Sequence, residues 1–142
     1  MSVDPDHPAK GLRGRQVAVL LLLGALCWAG AVGMIRFGGG VHLFDGTWMT
    51  AVTFLVTLLG SYAVVWACLW AARLDEADAL VAGALVSAAA LMLHGVTLTW
   101  APDLYGHDPD VVRLGSAWLL WGVGAALGMA WLRTRGARGE KA

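Results

Sequence analysis

At 142 residues, with 58% hydrophobic and 14% charged side chains and a mean hydropathy of +0.66, the chain is too apolar for an ordinary soluble domain, where about 25% of residues are charged. Ten basic residues balance ten acidic ones, and no basic block is interleaved with aromatics, so nucleic acid is not an expected partner. A small polytopic membrane protein is the class that remains, and there the placement of charge is more informative than its sum.

Residues 1–15 mix proline, glycine and charges of both signs and read as a flexible tail. Lys10, Arg13 and Arg15 then stand directly before an apolar run over residues 17–35. A basic stretch followed by an apolar one also fits a secretory signal peptide, with Ala29-Gly30-Ala31 as the cleavage site. The run continues past that site to Ile35, which favours a retained spanning helix. Leu26 occupies the place where a lipoprotein needs a small residue before Cys27, and Arg13-Gly14-Arg15 is not a twin-arginine pair. Arg36-Phe37-Gly38-Gly39-Gly40 closes the run, the three glycines being expected to supply the positive φ that ends a helix.

A second run covers residues 48–72, with Asp45 or Thr47 as its cap and tryptophans at both ends, Trp48 at one and Trp66 and Trp70 toward the other. Arg73 closes it. Asp75 with Asp78 then reads as a capping-box-like start to the third run, residues 77–100. After Asp78 that run has one ionisable side chain, His94, over roughly the thickness of a bilayer's hydrocarbon core. The polar segment 101–110 ends in Asp108-Pro109, an N-cap followed by proline at the first helical position. The fourth run, residues 110–132, is followed by Arg133, Arg135, Arg138 and Lys141 in a basic tail over 133–142.

The expected fold is all-α: one bundle of four transmembrane helices within residues 16–132, at about 16–37, 48–72, 77–100 and 110–132. Four spans put both termini on one side, which collects Lys10, Arg13, Arg15, Arg73, Arg133, Arg135, Arg138 and Lys141 against Arg36 and Arg113 opposite. Basic residues accumulate on the cytoplasmic side, so both termini are expected there, in a multi-pass protein of the cytoplasmic membrane. Cys27 and Cys68 fall at different depths and read as packing thiols rather than a disulfide.

His94 lies six residues before Trp100, about 9 Å from the end of its helix. An ionisable group at that depth either relays a proton or contacts a ligand, or it is a neutral imidazole bonded to a neighbouring helix through Thr50, Thr53 or Ser61. Arg36 either snorkels to the headgroups or joins Asp45, Asp103 or His94 in a polar cluster suited to an anion or a lipid headgroup. Small residues spaced by four form strips at Ala25, Ala29 and Gly33, at Ala79, Gly83 and Ser87, and at Gly124 and Gly128. Such strips let helices approach closely in lipid; the last pair would also serve self-association. Trp118 and Trp121 lie three residues apart in the fourth run.

Other chemistries lack their residues. There is no second deep histidine for a haem, no C-x-x-C, no H-E-x-x-H, no acid in the first run of the kind a small multidrug exporter uses, and no base spaced to serve Ser61, Ser87 or Ser116. No catalytic residue, metal or cofactor is therefore expected.

Ile35-Arg36-Phe37-Gly38 closing the first run, Leu43-Phe44 after it, and Ala117-Trp118-Leu119-Leu120-Trp121-Gly122 opening the fourth resemble a bacterial domain-of-unknown-function family of small four-helix integral membrane proteins. The resemblance implies that fold and location, and no reaction. Leu93-His94-Gly95 stands where the family tends to a Leu-Asp-Ala-type step, and Pro102-Asp103-Leu104-Tyr105 where it has an aromatic-Pro-Tyr-like segment, so no role for a buried acid transfers. The reading as a whole is a non-enzymatic accessory or interaction protein, with membrane lipid and either a second copy or another membrane protein as partners. The rival is a transporter or channel subunit whose polar path runs through Arg36 and His94.

Overall fold

The computed structural model describes residues 12–139. Residues 1–11 of the tail expected over 1–15, with Lys10, and the end of the basic tail, with Lys141, lie outside them. Among the described residues there are four α-helices: α1, Gly14–Gly38; α2, Trp48–Ala72; α3, Ala79–Trp100; and α4, Pro109–Gly139. Each is long and apolar enough to cross a membrane, and no strand occurs among the described residues.

The helix ends are satisfied by residues from neighbouring helices as often as by local caps. Gln16 accepts the Arg13 N–H at 2.9 Å and donates its amide to Ala72 O at 3.1 Å, serving the start of α1 and the end of α2 together. Thr47 caps α2 by accepting the Met49 N–H at 3.3 Å. The expected capping box of Asp75 and Asp78 does not form; neither aspartate makes a side-chain cap. Thr134 of α4 instead accepts the Leu80 N–H at 3.0 Å. Asp108 caps α4 as expected, accepting from Asp110 N and Val111 N at 2.9 and 3.4 Å. That helix continues beyond residue 132, where its apolar run stops, through Arg133, Arg135 and Arg138 to Gly139. Arg133 holds the extension to the bundle, 3.3 Å from Glu76 Oε1 and 4.6 Å above the Tyr62 ring.

The glycine run after α1 departs from expectation. Gly38 and Gly39 keep right-handed helical angles, and the chain reverses at His42 (φ 62°) and Gly46 (φ 79°). Gly38 and Gly39 are needed for space: a Cβ would meet the Phe44 ring at 2.9 Å and the Val111 side chain at 3.1 Å.

In the bundle α1 packs along α3, α3 along α4 and α4 along α2, whereas α1 meets α2 only sparsely. Two packed clusters result. One, at the end holding both termini, contains Leu20, Val65, Leu69, Val86 and Ala130. The other, at the opposite end, is built on Ile35, Phe44 and Tyr105. Gly83 and Ser87 of the α3 strip are buried, and a Cβ on Gly83 would lie 3.1 Å from Ala130. Gly124 and Gly128 are exposed with nothing within 4 Å of an added Cβ, so they take no part in packing within the chain. The inward face of α4 is set by Gly115, Gly122, Ala126, Ala130 and Thr134, and the helical period turns residues 124 and 128 away from it. On α1, likewise, the tight contact is at Gly24 and not along Ala25, Ala29 and Gly33.

A Cβ on Gly24 would stand 2.6 Å from Ala89 Cβ and 2.7 Å from Val86 O. Gly24→Ala is therefore expected to destabilise the detergent-solubilised bundle by about 1–3 kcal/mol in a denaturant titration, through forced separation of α1 from α3. Gly124→Ala is expected to leave stability unchanged or raised by up to about 1 kcal/mol, from helix propensity alone. Equal losses in the two variants would remove the Gly24 contact from this role.

Candidate functional site

After Trp100 the chain turns through a short 3₁₀ helix, Pro102–Leu104, and folds Tyr105 back into the bundle. Gly106, at φ 127°, lets it leave again. The turn is pinned from α1: Arg36 Nη1 donates to Asp103 O at 2.9 Å and Leu104 O at 3.3 Å. Tyr105 thereby becomes fully buried, with its hydroxyl 2.6 Å from His94 Nδ1. Trp28 of α1 donates to Thr97 Oγ1 at 2.9 Å, and Thr97 in turn donates to the carbonyl of Leu93, one helical turn back and next to His94 on the same helix.

Of the four residues expected to form a polar site, Arg36 and His94 are joined through this one turn. Asp103 contributes its backbone carbonyl; its carboxylate points outward, 3.7 Å from His107. Asp45 stands apart on the α1–α2 connection, accepting from the Thr47 hydroxyl at 2.6 Å and the Thr47 N–H at 3.0 Å, with His42 Nδ1 at 2.9 Å. None of Thr50, Thr53 or Ser61, the anticipated partners of His94, bonds to it; Tyr105 does. The signal for Tyr105 was faint: an aromatic residue inside an otherwise polar connection, with no periodicity to show that it points inward.

Between the two packed clusters lies a cavity of about 540 Å³, within the size range of small-molecule sites. All four helices line it. His94, Ala90, Ser87 and Val86 of α3 form one wall, and Trp118, Gly122 and Ala126 of α4 another. Gly30 and Met34 of α1 and Val52, Val56 and Gly60 of α2 both line it and lie on the protein surface, so its mouth is lateral, in the sparse contact between α1 and α2. Most of its polar side chains are already engaged. Thr53 donates to Met49 O at 2.9 Å, Thr57 to Thr53 O at 2.7 Å, Ser61 to Gly122 O at 3.2 Å, and Trp118 Nε1 to Thr57 Oγ1.

A second hollow, of about 480 Å³, opens at the end holding the termini, where Arg13, Arg15 and Arg73 meet Asp75 and Asp78. Its charges of opposite sign offset one another. Among the described residues no three histidine, cysteine or acidic side chains gather as a metal site would require, and both cysteines are free thiols. Comparison with protein families, with curated proteins and with solved structures finds no match.

The hydroxyl and N–H of Thr47, and secondarily His42, hold the Asp45 carboxyl below its ordinary value. A depressed carboxylate steadies its surroundings above its unfolded pKa of about 4 and loses that effect as the pH falls through the folded value. The exchange protection factor of the Thr47 amide is expected to hold from neutral pH down to about 4 and to drop in stronger acid. In Asp45→Asn it is expected to be low throughout. A wild-type drop above pH ~5 would contradict the assignment.

Proposed function

We propose that this chain is a non-enzymatic protein of a bacterial-type cytoplasmic membrane that takes an apolar molecule laterally from the bilayer and holds it among its four helices. The observation that carries this reading is the mouth of the cavity. It opens between α1 and α2, through Gly30, Met34, Val52, Val56 and Gly60, on a surface that is itself apolar. A binding site reached through a lipid-facing wall selects molecules that already partition into lipid.

Insertion with both termini cytoplasmic is supported by the basic residues. Arg13, Arg15, Arg73, Arg133, Arg135 and Arg138 lie at one end of the bundle, Arg36 and Arg113 at the other. The outward faces support it too: Leu59, Met92, Trp100 and Trp70 are each more than two-thirds exposed, at 74%, 74%, 76% and 73%, which is costly in water and favourable in lipid. The resemblance to small four-helix membrane proteins belongs to the same proposal.

Conduction through Arg36 and His94 has less support. Arg36 is committed to two backbone carbonyls, and beyond Ser61 and Ser87 the interior is closed by Leu20, Val65, Leu69, Val86 and Ala130. Ion passage needs a continuous polar lining. Catalysis is disfavoured because the hydroxyl protons of Thr53, Thr57 and Ser61 are all given to carbonyls, away from any base. An accessory role, handing the held molecule to a membrane partner, fits these facts.

The mouth can be closed without disturbing the core, because Gly30 and Gly60 have nothing within 4 Å of an added Cβ. Native mass spectrometry of protein extracted in mild detergent is expected to find an apolar molecule retained by the wild type and by Gly95→Trp, a substitution at another open glycine, away from the cavity. Gly60→Trp is expected to lose most of it. Absence from the wild type, or equal retention in Gly60→Trp, would overturn the reading. A reporter fused after Ala142 is expected to be active in the cytoplasm, and activity on the opposite side would reverse the topology.

A further inference from the structure

We infer that the molecule held in the cavity is a neutral lipid bearing a carbonyl group, and that the N–H of His94 Nε2 is the donor that selects it. This rests on the cavity-binding reading above and adds the chemistry of recognition.

The argument begins with Tyr105. Its side chain is fully buried, and its hydroxyl has one partner among the described residues, His94 Nδ1 at 2.6 Å. A buried hydroxyl hydrogen left without an acceptor is costly, and Nδ1 is the acceptor in reach. Tyr105 therefore donates and Nδ1 accepts. A neutral imidazole has one N–H, so the hydrogen is placed on Nε2. By donating to Nδ1, the tyrosine fixes the tautomer of the ring.

Nε2 itself makes no hydrogen bond among the described residues, yet no buried polar side-chain atom is left sealed and unpartnered. It therefore opens onto free space, and the space His94 lines is the cavity. The residue as a whole is 5% exposed. One donor thus points from an almost fully buried side chain into a space whose other polar groups are mostly satisfied internally.

What it needs is an acceptor, and depth restricts which. His94 lies about 9 Å below the end of α3 at helical rise, inside the hydrocarbon region of the proposed bilayer. A phosphate or carboxylate there would leave its charge without a cationic partner, since Arg36 is committed to the 103–104 carbonyls. A carbonyl needs one good donor and no countercharge. Beyond His94 the cavity walls are Cys27, Val64, Val86 and Ala126, with the Trp118 ring beside them, a lining for a hydrocarbon body. A quinone ring and an acyl ester both present a carbonyl at one end of such a body.

The test uses the full chain in nanodiscs and three probes of matched chain length: a decyl-substituted benzoquinone, a fatty acyl methyl ester, and the corresponding acceptor-free hydrocarbon. Binding is read from tryptophan fluorescence and confirmed by native mass spectrometry. At least one carbonyl probe is expected to bind roughly 3–10-fold more tightly than the hydrocarbon, the range of one net hydrogen bond. A preference for the quinone assigns the carbonyl to a ring, and a preference for the ester assigns it to an acyl chain. His94→Phe is expected to abolish the preference while retaining hydrocarbon binding. His94→Gln, whose amide N–H reaches the position of Nε2, is expected to keep it, and Tyr105→Phe to reduce it by releasing the tautomer. Equal binding of carbonyl and hydrocarbon probes by the wild type overturns the inference and leaves the cavity reading standing. Failure of all three probes to bind overturns both.

Discussion

Gly24 brings α1 against the Ala89 methyl group and Val86 carbonyl of α3 with no side chain of its own between, and the shape of the molecule follows from that contact. A helix surface can commit to only so many neighbours. Having packed along α3 with its Leu20 and Gly24 face, α1 has little left to offer α2, which packs on α4 instead. The two tight pairs are joined through α3 and α4. The remaining side, between α1 and α2, stays sparse over the stretch where Gly30 faces Val56 and Gly60, and that shortfall is the cavity mouth. Gly115 repeats the device at the other end, where an added Cβ would collide with Ile35 at 2.7 Å. Small residues act as packing elements here because apolar surface alone does not choose between partners when the outside of each helix is as apolar as the inside.

Polar side chains supply the specificity that apolar surface lacks. Trp118 Nε1 to Thr57, Trp121 Nε1 to Phe54 O at 2.9 Å, and Ser61 to Gly122 O all tie α2 to α4. Trp28 to Thr97 ties α1 to α3. Each links helices that are also in extensive contact, so bonding and packing name the same pairs. No such bond joins α1 to α2 within the span; their one polar link, from Gln16 to Ala72, lies at the end holding the termini. An unpaired donor in an apolar interior costs far more than a paired one gains, which makes these bonds a filter on arrangement more than a source of net stability.

The number and order of the helices could be read from the sequence because they depend on long charge-free runs and on local signals such as Asp108-Pro109, which act within a few residues, whereas α4 runs on past the end of its apolar run to Gly139. The strip at Ala79, Gly83 and Ser87 faces inward in the structure, with all three residues buried. Gly124 and Gly128 carry the same spacing on the outward face: α4 has glycines on two faces, at 115 and 122 as well as 124 and 128, and spacing alone does not say which face is inward. The glycine turn after α1 looked like a backbone requirement and is a steric one, visible only once Phe44 and Val111 are in place. Arg36 and His94 stand out in the sequence as ionisable groups on apolar runs. Their partners were hidden because backbone carbonyls leave no trace in side-chain composition, and because Tyr105 reaches His94 through a turn that no periodic pattern describes.

The same turn determines which part of the cavity is rigid. Arg36 fixes the 103–104 carbonyls, Tyr105 is wedged with Ile35 and Phe44, and His94 is held by Tyr105, so the polar end of the cavity is supported by α1, α3 and the connection beyond it. The opposite end is filled by the Leu20, Val65 and Ala130 cluster. On the proposed reading, entry falls to the side where neighbouring helices meet sparsely, α1 against α2, and there Gly30 and Gly60 present no side chains to displace. On the same proposal, such a site would keep its donor fixed while the wall between α1 and α2 yields. Selection and entry would then be governed by different residues, and neither would depend on opening the connections between the helices.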